Sequence, residues 1–292
     1  MLLLDAVALR SAALRREAGS ERTIKFYEFW LKNLSASLLI QDLDQVTLDD
    51  LRRWSDGLIQ RKLAVRSRIG AVATAKAFFH WCLREELVMV DPSVRLEKPK
   101  KPKSLPQALE DYEIVVLANV AAGTFSPQRD VAIVVMFVET GVRLGELVSL
   151  KPDRVILPPG HTEGWIIVSG KTGERFAPLN ALARRALEEW LVVRPAQMDT
   201  VFGLTGWGVR LMLKRLAKLA SIDPKRIHPH VLRHTSAAQR VEGGGEATDL
   251  MNIFGWSSTA MFPVYARLAH GRMMRRAMLT SPTDRIFGQQ SN

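Results

Sequence analysis

The 292-residue sequence contains one cysteine, Cys82, and no apolar run that reaches the ~18 residues needed to span a membrane. A single cysteine can form neither an internal disulfide nor a cysteine-based zinc site, which favours a reducing compartment. The first ten residues, MLLLDAVALR, place no basic residue ahead of their short apolar run and do not match a signal peptide. These absences exclude the disulfide-rich secreted and integral membrane classes and predict a soluble, cytoplasmic protein.

An excess of positive charge stands out from an otherwise ordinary composition, 47% hydrophobic and 24% charged. Lysine and arginine number 41 against 30 acidic residues, so the formal net charge is +11. Such an excess suits a polyanion such as nucleic acid, whose counterions are released when basic side chains bind its phosphates. A basic protein with merely solvated lysines would have the same composition, so the position of the charge matters.

The positive charge is concentrated in residues 95–106, RLEKPKKPKSLP, where five basic side chains accompany one acidic residue and three prolines. Proline fixes φ and favours extended geometry before it, so the segment is expected to form a stiff strap. An extended basic strap can follow a DNA backbone, although a plain soluble linker remains an alternative. The lysines expected to contact DNA are Lys98, Lys100, Lys101 and Lys103. The strap divides the chain into a domain over 1–94 and another over 107–292.

Helical periodicity dominates the first domain. Ser20 is placed to cap a helix, Thr47 and Asp50 resemble a capping box, and apolar spacing predicts a third helix over 65–87. One further helix is expected before Ser20. Four aromatic side chains are expected in the core of this small bundle rather than on a base-stacking surface: Phe26, Phe29, Phe78 and Trp81.

The second domain is predicted to be mostly α with one small sheet. Two β-type runs, 165–168 and 175–179, flank a glycine-rich turn over 169–174. Helices are expected over 108–122, 129–139, 181–193, 207–219, 230–241, 247–254 and 258–269. The fold class is therefore mainly α, with an N-terminal helical bundle followed by a mostly α domain that carries a small β-sheet.

Reactive side chains cluster in four separate segments. Taken alone, the first two segments are only weak evidence for a catalytic site. In TGVRLGEL, Arg143 lies in a turn and Glu146, three residues on, could hold its guanidinium ready for a phosphate. A surface ion pair would have the same spacing. Lys171 lies in the glycine-flanked turn, where a lysine is usually just exposed.

The other two segments contain histidine, arginine and tyrosine. The run HPHVLRH invites a zinc assignment, but no fourth ligand and no H-E-x-x-H pattern accompanies it. His230 and Arg233 are three residues apart and share a helix face. Tyr265 follows Trp256 by nine residues, and a lone tyrosine is more often a core residue than a nucleophile.

Taken together, these positions are similar in type, order and spacing to the tyrosine recombinase (phage integrase) family. The phrases that carry the resemblance are TGVRLGEL, GKTGERFAPL, PHVLRHT and FGW followed by Tyr265. The resemblance covers about residues 14–280. It implies a core-binding domain followed by a catalytic domain, and the short two-domain layout resembles the simpler Xer-like or transposon-borne members.

The resemblance implies transesterification of DNA with neither a metal nor a nucleotide cofactor. Tyr265 would attack the scissile phosphate and form a 3′-phosphotyrosyl link, which conserves the bond energy for rejoining. Arg143 and Arg233 would stabilise the non-bridging oxygens in the transition state. Lys171 would protonate the departing 5′-oxygen, and His230 would accept the tyrosine proton or orient the phosphate.

Three further residues have supporting roles under this resemblance. Trp256 stands where the family more often has histidine, and its one N–H can hold a phosphate oxygen but cannot shuttle a proton. Glu146 would support Arg143. His234 would either support the site or pack in the core, and the sequence leaves both assignments open.

Two other functions stay open at this point: a type IB topoisomerase-like enzyme that nicks and recloses one strand, and a catalytically silent DNA-binding regulator. The tail, residues 270–292, bears on this choice because Met273, Met274, Ala277 and Met278 follow the spacing of one helical face. Such a face either packs on its own domain or docks in a neighbouring protomer. The resemblance implies the second, in a homotetramer on two double-stranded DNA recombination sites, associated with the nucleoid when bound.

Overall fold

The computed structural model describes residues 1–17, 20–38, 40, 42–100, 106–170, 173–279 and 281–283. The chain forms two compact units, Met1–Lys103 and Ser104–Asn292. Both are built mainly from helices, which confirms the predicted fold class. Within the described ranges, no helix has the length and apolar character required to cross a membrane. Three of the predicted site lysines, Lys101, Lys103 and Lys171, lie outside the described residues.

The first unit contains four α-helices in its described part: α1 (Leu3–Arg16), α2 (Glu21–Ser37), α3 (Leu48–Gln60) and α4 (Val65–Arg84). The predicted caps are present, since the Ser20 hydroxyl accepts a hydrogen bond from the backbone of Thr23 at 3.3 Å. Thr47 and Asp50 form a reciprocal capping box at the start of α3. These caps satisfy backbone N–H groups that have no partner within the helix.

The aromatic residues of this unit divide between core and surface. Phe78 and Trp81 are buried as expected, but the core prediction is wrong for Phe26 and Phe29, which are 44% and 61% exposed. The reason is that α2 buries the face carrying Ile24, Leu31 and Leu34, which leaves the two phenylalanines on another side of the helix. Helix α4 also ends before its predicted limit.

A lysine of α4 anchors the chain where it leaves the bundle. The Lys76 ammonium group donates hydrogen bonds to the carbonyls of Ser93, Val94 and Leu96 at 2.5, 2.8 and 3.0 Å. The backbone N–H of Ser93 also donates a hydrogen bond to the Asp91 carboxylate at 2.7 Å. The basic strap therefore begins from a fixed point on the first unit.

The second unit combines helices with a three-stranded antiparallel sheet of order β1-β2-β3. Its strands are β1 (Val155–Ile156), β2 (Gly164–Gly170) and β3 (Gly173–Leu179). The strand β1 was not predicted, because two residues give no periodicity. The helices are α5 (Asp111–Ala122), α6 (Pro127–Thr140), α7 (Leu144–Val148), α8 (Ala181–Val193), α9 (Gly206–Leu219), α10 (Pro229–Glu242), α11 (Ala247–Phe254) and α12 (Phe262–Leu279).

Helix α10 is central to the site because it packs against both α6 and α12. Its inner face is formed by residues such as Leu232 and Ala238, both of which are fully buried. Helix α12 differs from the prediction, since it begins at Phe262 after a short 3-10 turn and continues to Leu279. The expected tail helix is therefore an uninterrupted extension of the helix that carries Tyr265.

Candidate active site

Arg143 and Glu146 are joined by two hydrogen bonds at the start of α7. The Arg143 backbone N–H donates to Glu146 Oε2 at 2.7 Å, and its Nη1 donates to Oε1 at 2.7 Å. Its other arm donates to the carbonyl of Gly255 at 2.8 Å. The Arg143 side chain remains 36% exposed, so the guanidinium is held in place while one side stays accessible.

Glu146 is an anion although it is buried. Burial alone would raise the pKa of Glu146, but the Arg143 backbone hydrogen bond and the charges of Arg175 and Arg143 outweigh it and lower the value. The carboxylate therefore stays charged at neutral pH and keeps its hold on the guanidinium.

Arg233, on α10, is buried beside this pair. Its Nη1 donates to the carbonyl of Gly141 at 2.5 Å, its Nη2 donates to the carbonyl of Phe254, and the guanidinium carbon lies 5.2 Å from the Phe254 ring centroid. Burial, together with the nearby positive charges of Arg143 and Arg175, lowers the pKa of Arg233 to about 10. The group stays charged at neutral pH in surroundings that favour the arrival of an anion.

Arg175, on β3, joins this cluster and was missed by the sequence analysis. Its Nη2 donates to Glu146 Oε2 at 2.6 Å, and its Nη1 donates to the carbonyl of Ile253 at 2.5 Å. The side chain is 9% exposed. The signal available in the sequence was a charged residue at an inward-facing position of β3, two residues before the buried Ala177.

The C-terminal end of α11 binds all three guanidinium groups. The carbonyls of residues 253, 254 and 255 accept hydrogen bonds from Arg175, Arg233 and Arg143 respectively. The last carbonyls of a helix have no donor within the helix and carry the negative end of its dipole. One helix end thus positions both arginines that the resemblance assigns to the phosphate, and Trp256 follows it directly.

Tyr265 lies on α12 with its hydroxyl 2.7 Å from Nδ1 of His234. Its ring stacks on Trp256 with centroids 5.1 Å apart and an interplanar angle of 2°. The side chain is 2% exposed, and burial raises the pKa of Tyr265. The phenol is therefore neutral and held between a histidine and an indole.

His234 is a neutral imidazole at physiological pH. Burial, together with the nearby charge of His230, lowers the pKa of His234 to about 4. In the tautomer with its proton on Nε2, the ring accepts the Tyr265 hydrogen bond at Nδ1. Of the two assignments left open by the sequence, the geometry therefore places His234 in contact with the tyrosine.

His230 lies exposed on α10, one turn before the buried Arg233. Its neighbour His228 caps the helix by accepting a hydrogen bond from the Val231 backbone at 3.4 Å. Among the described residues, no group of His, Cys, Asp or Glu side chains is placed to hold a metal ion.

Two glycines allow the elements of the site to approach closely. Gly141 has φ +56°, and a Cβ there would lie 2.1 Å from the Phe254 ring. A Cβ on Gly170 would lie 2.8 Å from Glu146 Oε1 and 3.4 Å from Arg143 Nη1. The end of β2 therefore lies against the Arg143–Glu146 pair, and Lys171 is the next residue in the chain.

Comparison with known proteins gives one family match and many relatives that are matched over most of their length. The phage integrase family matches residues 107–272, more than half of the chain. The chain is 30% identical to tyrosine recombinase XerD of Caulobacter vibrioides over 85% of each chain. It is 28% identical to tyrosine recombinase XerC of Corynebacterium efficiens, over 87% of this chain and 84% of that protein.

The fold is also similar to that of a solved structure with low sequence identity. The Tn1549 transposon integrase in complex with transposon right end DNA superposes with a TM-score of 0.76 at 20% identity, covering 95% of this chain and 100% of that one. This likeness concerns the fold that holds the residues described above.

Proposed function

The chain belongs to the phage integrase family and is a tyrosine recombinase, and we propose that it cuts and rejoins DNA at a specific site through Tyr265. The observation that carries this assignment is the contact between the Tyr265 hydroxyl and His234. Tyr265 lies on α12, which packs against α10, the helix that carries both His234 and Arg233. Trapping the covalent complex on a nicked DNA substrate, from which the cleaved end diffuses away, separates this enzyme from a silent DNA-binding regulator.

The proposed reaction exchanges one phosphodiester for another. The Tyr265 oxygen bonds to phosphorus, the bond to the 5′-oxygen breaks, and the 3′-phosphate remains on the tyrosine. A 5′-hydroxyl from a second strand then reverses the step, so the bond energy is retained. Because Tyr265 is buried, DNA binding must uncover its hydroxyl before the attack.

Arg143 and Arg233 are proposed to bind the non-bridging oxygens. Each guanidinium has five N–H donors, and the hydrogen bonds to carbonyls and to Glu146 leave further donors for a phosphate. Because these bonds fix the groups in advance, little reorganisation accompanies the growth of charge in the transition state. Trp256, stacked on Tyr265, is proposed to donate its indole N–H to the same phosphate.

His234 and His230 are proposed to divide the remaining tasks. A neutral imidazole in contact with the phenol is placed to take its proton as the Tyr265 oxygen attacks. His230 then orients the phosphate from the exposed side of α10. Its charge is close enough to lower the pKa of His234.

Lys171 is proposed to protonate the leaving 5′-oxygen. Replacing it by alanine should slow cleavage of ordinary DNA roughly 100- to 10,000-fold, the range typical of general acids. A substrate with sulfur at the 5′-bridging position should restore the rate to within about tenfold of the unmodified enzyme, because a thiolate leaves without a proton. Single-turnover cleavage of both substrates measures this, with Tyr265→Phe as the control that must stay inactive. A Lys171→Ala defect of equal size on both substrates would remove the general-acid role.

The basic strap is proposed to bind DNA phosphates through Lys98, Lys100, Lys101 and Lys103. Two of these lysines, Lys98 and Lys100, lie among the described residues, and both are exposed and follow the segment that Lys76 fixes. Replacing all four lysines by glutamine should weaken binding to every duplex and reduce the slope of log K against log salt by roughly 3 to 4 units. Binding titrations at several salt concentrations measure the slope, with the four-arginine variant as the charge-preserving control. An unchanged slope would leave the strap as a linker.

The recombining assembly is proposed to be a homotetramer on two DNA sites in the cytoplasm, associated with the nucleoid. The support is at the end of α12, where Met274 and Met278 are one turn apart and 49% and 67% exposed. We assign this face to a neighbouring protomer of the same chain. Because Tyr265 lies on the same helix, docking of this end would act directly on the nucleophile.

Changing Met274 and Met278 to glutamine tests this assembly without disturbing a buried side chain. The double variant should bind a single site normally but lose cooperative binding and recombination, because the apolar contact between protomers is removed. Gel-shift titrations on one-site and two-site DNA measure cooperativity, with Met89→Gln, at a residue that is 93% exposed on the first unit, as the control. Normal synapsis and recombination by the double variant would contradict docking through this face.

A further inference from the structure

We propose that Arg175 is a positioning residue for DNA cleavage, one that fixes both phosphate-binding arginines without touching the phosphate. This inference rests on the proposed function, in which Arg143 and Arg233 stabilise the transition state. It concerns a side chain that has no assigned role in the reaction and that occupies the centre of the cluster.

The first arm of Arg175 controls the carboxylate that holds Arg143. Glu146 Oε1 accepts a hydrogen bond from Arg143 Nη1 at 2.7 Å, and Glu146 Oε2 accepts one from Arg175 Nη2 at 2.6 Å. The carboxylate is thereby held from both sides and its orientation is set. Without Arg175, the buried anion would keep a single guanidinium partner and could rotate, and Arg143 would move with it.

The second arm of Arg175 fixes the end of α11. It binds the carbonyl of Ile253, immediately before the two carbonyls that hold Arg233 and Arg143. Arg175 therefore ties β3 to the helix end on which both phosphate-binding groups depend.

The chemistry of the site requires arginine. A planar guanidinium can bridge a carboxylate on α7 and a carbonyl on α11 at once, whereas the single nitrogen of lysine cannot span both acceptors in the same geometry. Arg175 Nε is buried and has no hydrogen-bond partner among the described residues. If Arg175 only filled space, an apolar side chain would make the fold more stable, because a buried N–H without a hydrogen-bond partner is destabilising.

A matched control exists in the same domain. Arg184 on α8 is also 9% exposed and also binds carbonyls, those of Pro158 and Glu163, together with a carboxylate. Glu163 precedes the start of β2, roughly 20 Å along the strand from Gly170 at the usual rise per residue. Removing Arg184 therefore deletes a similar buried network away from the phosphate site.

The test compares cleavage of two DNA substrates by Arg175→Met, Arg175→Lys and Arg184→Met. One substrate carries the ordinary phosphate at the cleavage position, and the other carries a methylphosphonate, which has no charged non-bridging oxygen. On ordinary DNA, Arg175→Met should form covalent complex roughly 100-fold more slowly, with Arg175→Lys between it and the unmodified enzyme. Arg184→Met should stay within about threefold of the unmodified enzyme, as expected for a site remote from the phosphate.

The methylphosphonate substrate distinguishes positioning of the arginines from a purely structural role, because a purely structural role would give the same cleavage defect on both substrates. If Arg175 acts by orienting Arg143 and Arg233, its loss should matter little once the phosphate charge is gone, and the defects should shrink to about threefold. Equal defects on the two substrates, or normal cleavage of ordinary DNA by Arg175→Met, would overturn the inference. Arg143→Ala is the positive control, since its cleavage defect should also shrink on the methylphosphonate substrate. If Arg175→Met does not fold, the same comparison of the two substrates is made with Arg175→Lys. Failure of the unmodified enzyme to form any covalent complex would instead refute the proposed function.

Discussion

Replacing Tyr265 by phenylalanine should abolish covalent complex formation and leave DNA binding unchanged. The substitution removes only the hydroxyl oxygen, while the ring that stacks on Trp256 at 5.1 Å stays in place. The loss of the hydrogen bond to His234 should cost about 1 kcal/mol of folding free energy, which the fold tolerates. The expected result is a cleavage rate below detection on a substrate that the unmodified enzyme traps readily.

The chain offers its own controls, because Tyr27 and Tyr112 are the other two of its three tyrosines. Phenylalanine at either position should leave cleavage within about twofold of the unmodified rate, because neither hydroxyl takes part in the contacts of Tyr265 with His234 and Trp256. Gel-shift titration and denaturing electrophoresis of the same samples separate binding from covalent attachment. An adduct formed by Tyr265→Phe would show that the nucleophile is another residue.

Replacing Arg233 by alanine should reduce the cleavage rate roughly 1000-fold, the upper range for one preorganised donor. The change removes a buried cation from the phosphate site and leaves the carbonyls of Gly141 and Phe254 without their donor. Arg233→Lys should recover part of the rate, since it keeps the charge but loses the planar fork. Affinity for uncleaved DNA should change much less than the rate, because the charge on the phosphate grows during the reaction.

Arg240 provides the matched control on the same helix. It also donates to a carbonyl, that of Glu139, as well as to the Glu139 side chain. Arg240→Ala should lose stability by an amount typical of a partly buried ion pair but cleave DNA within a few-fold of the unmodified enzyme. If the two alanine variants show equal losses of rate, the effect of Arg233 is structural rather than catalytic.

The sequence predicted the helices well where local signals set their limits. The segments 181–193 and 247–254 are helical as expected, and Gly255 ends the second of them in a left-handed conformation. The order of the reactive residues came from the resemblance. Local signals could not show which side of α2 faces the core, so Phe26 and Phe29 were placed wrongly.

The contacts that organise the site depend on tertiary packing. His234 and Tyr265 are 31 residues apart and meet only because α10 packs against α12. Arg175 meets Glu146 across 29 residues, and the carbonyls that bind the arginines are backbone groups with no sequence signature. The contact of His234 with Tyr265 and the contact of Arg175 with Glu146 are therefore visible only in the three-dimensional structure.

The most direct test of Tyr265 as the nucleophile is to map the covalent bond formed by the unmodified enzyme. The protein is incubated with a nicked substrate that traps the cleaved intermediate, digested with protease, and the nucleotide-bearing peptide is sequenced by mass spectrometry. The account predicts one adduct, on Tyr265, through a 3′-phosphate, with a free 5′-hydroxyl on the other DNA end. An adduct on any other residue, a 5′-phosphate linkage, or the absence of any adduct on DNA that the protein binds specifically would contradict it.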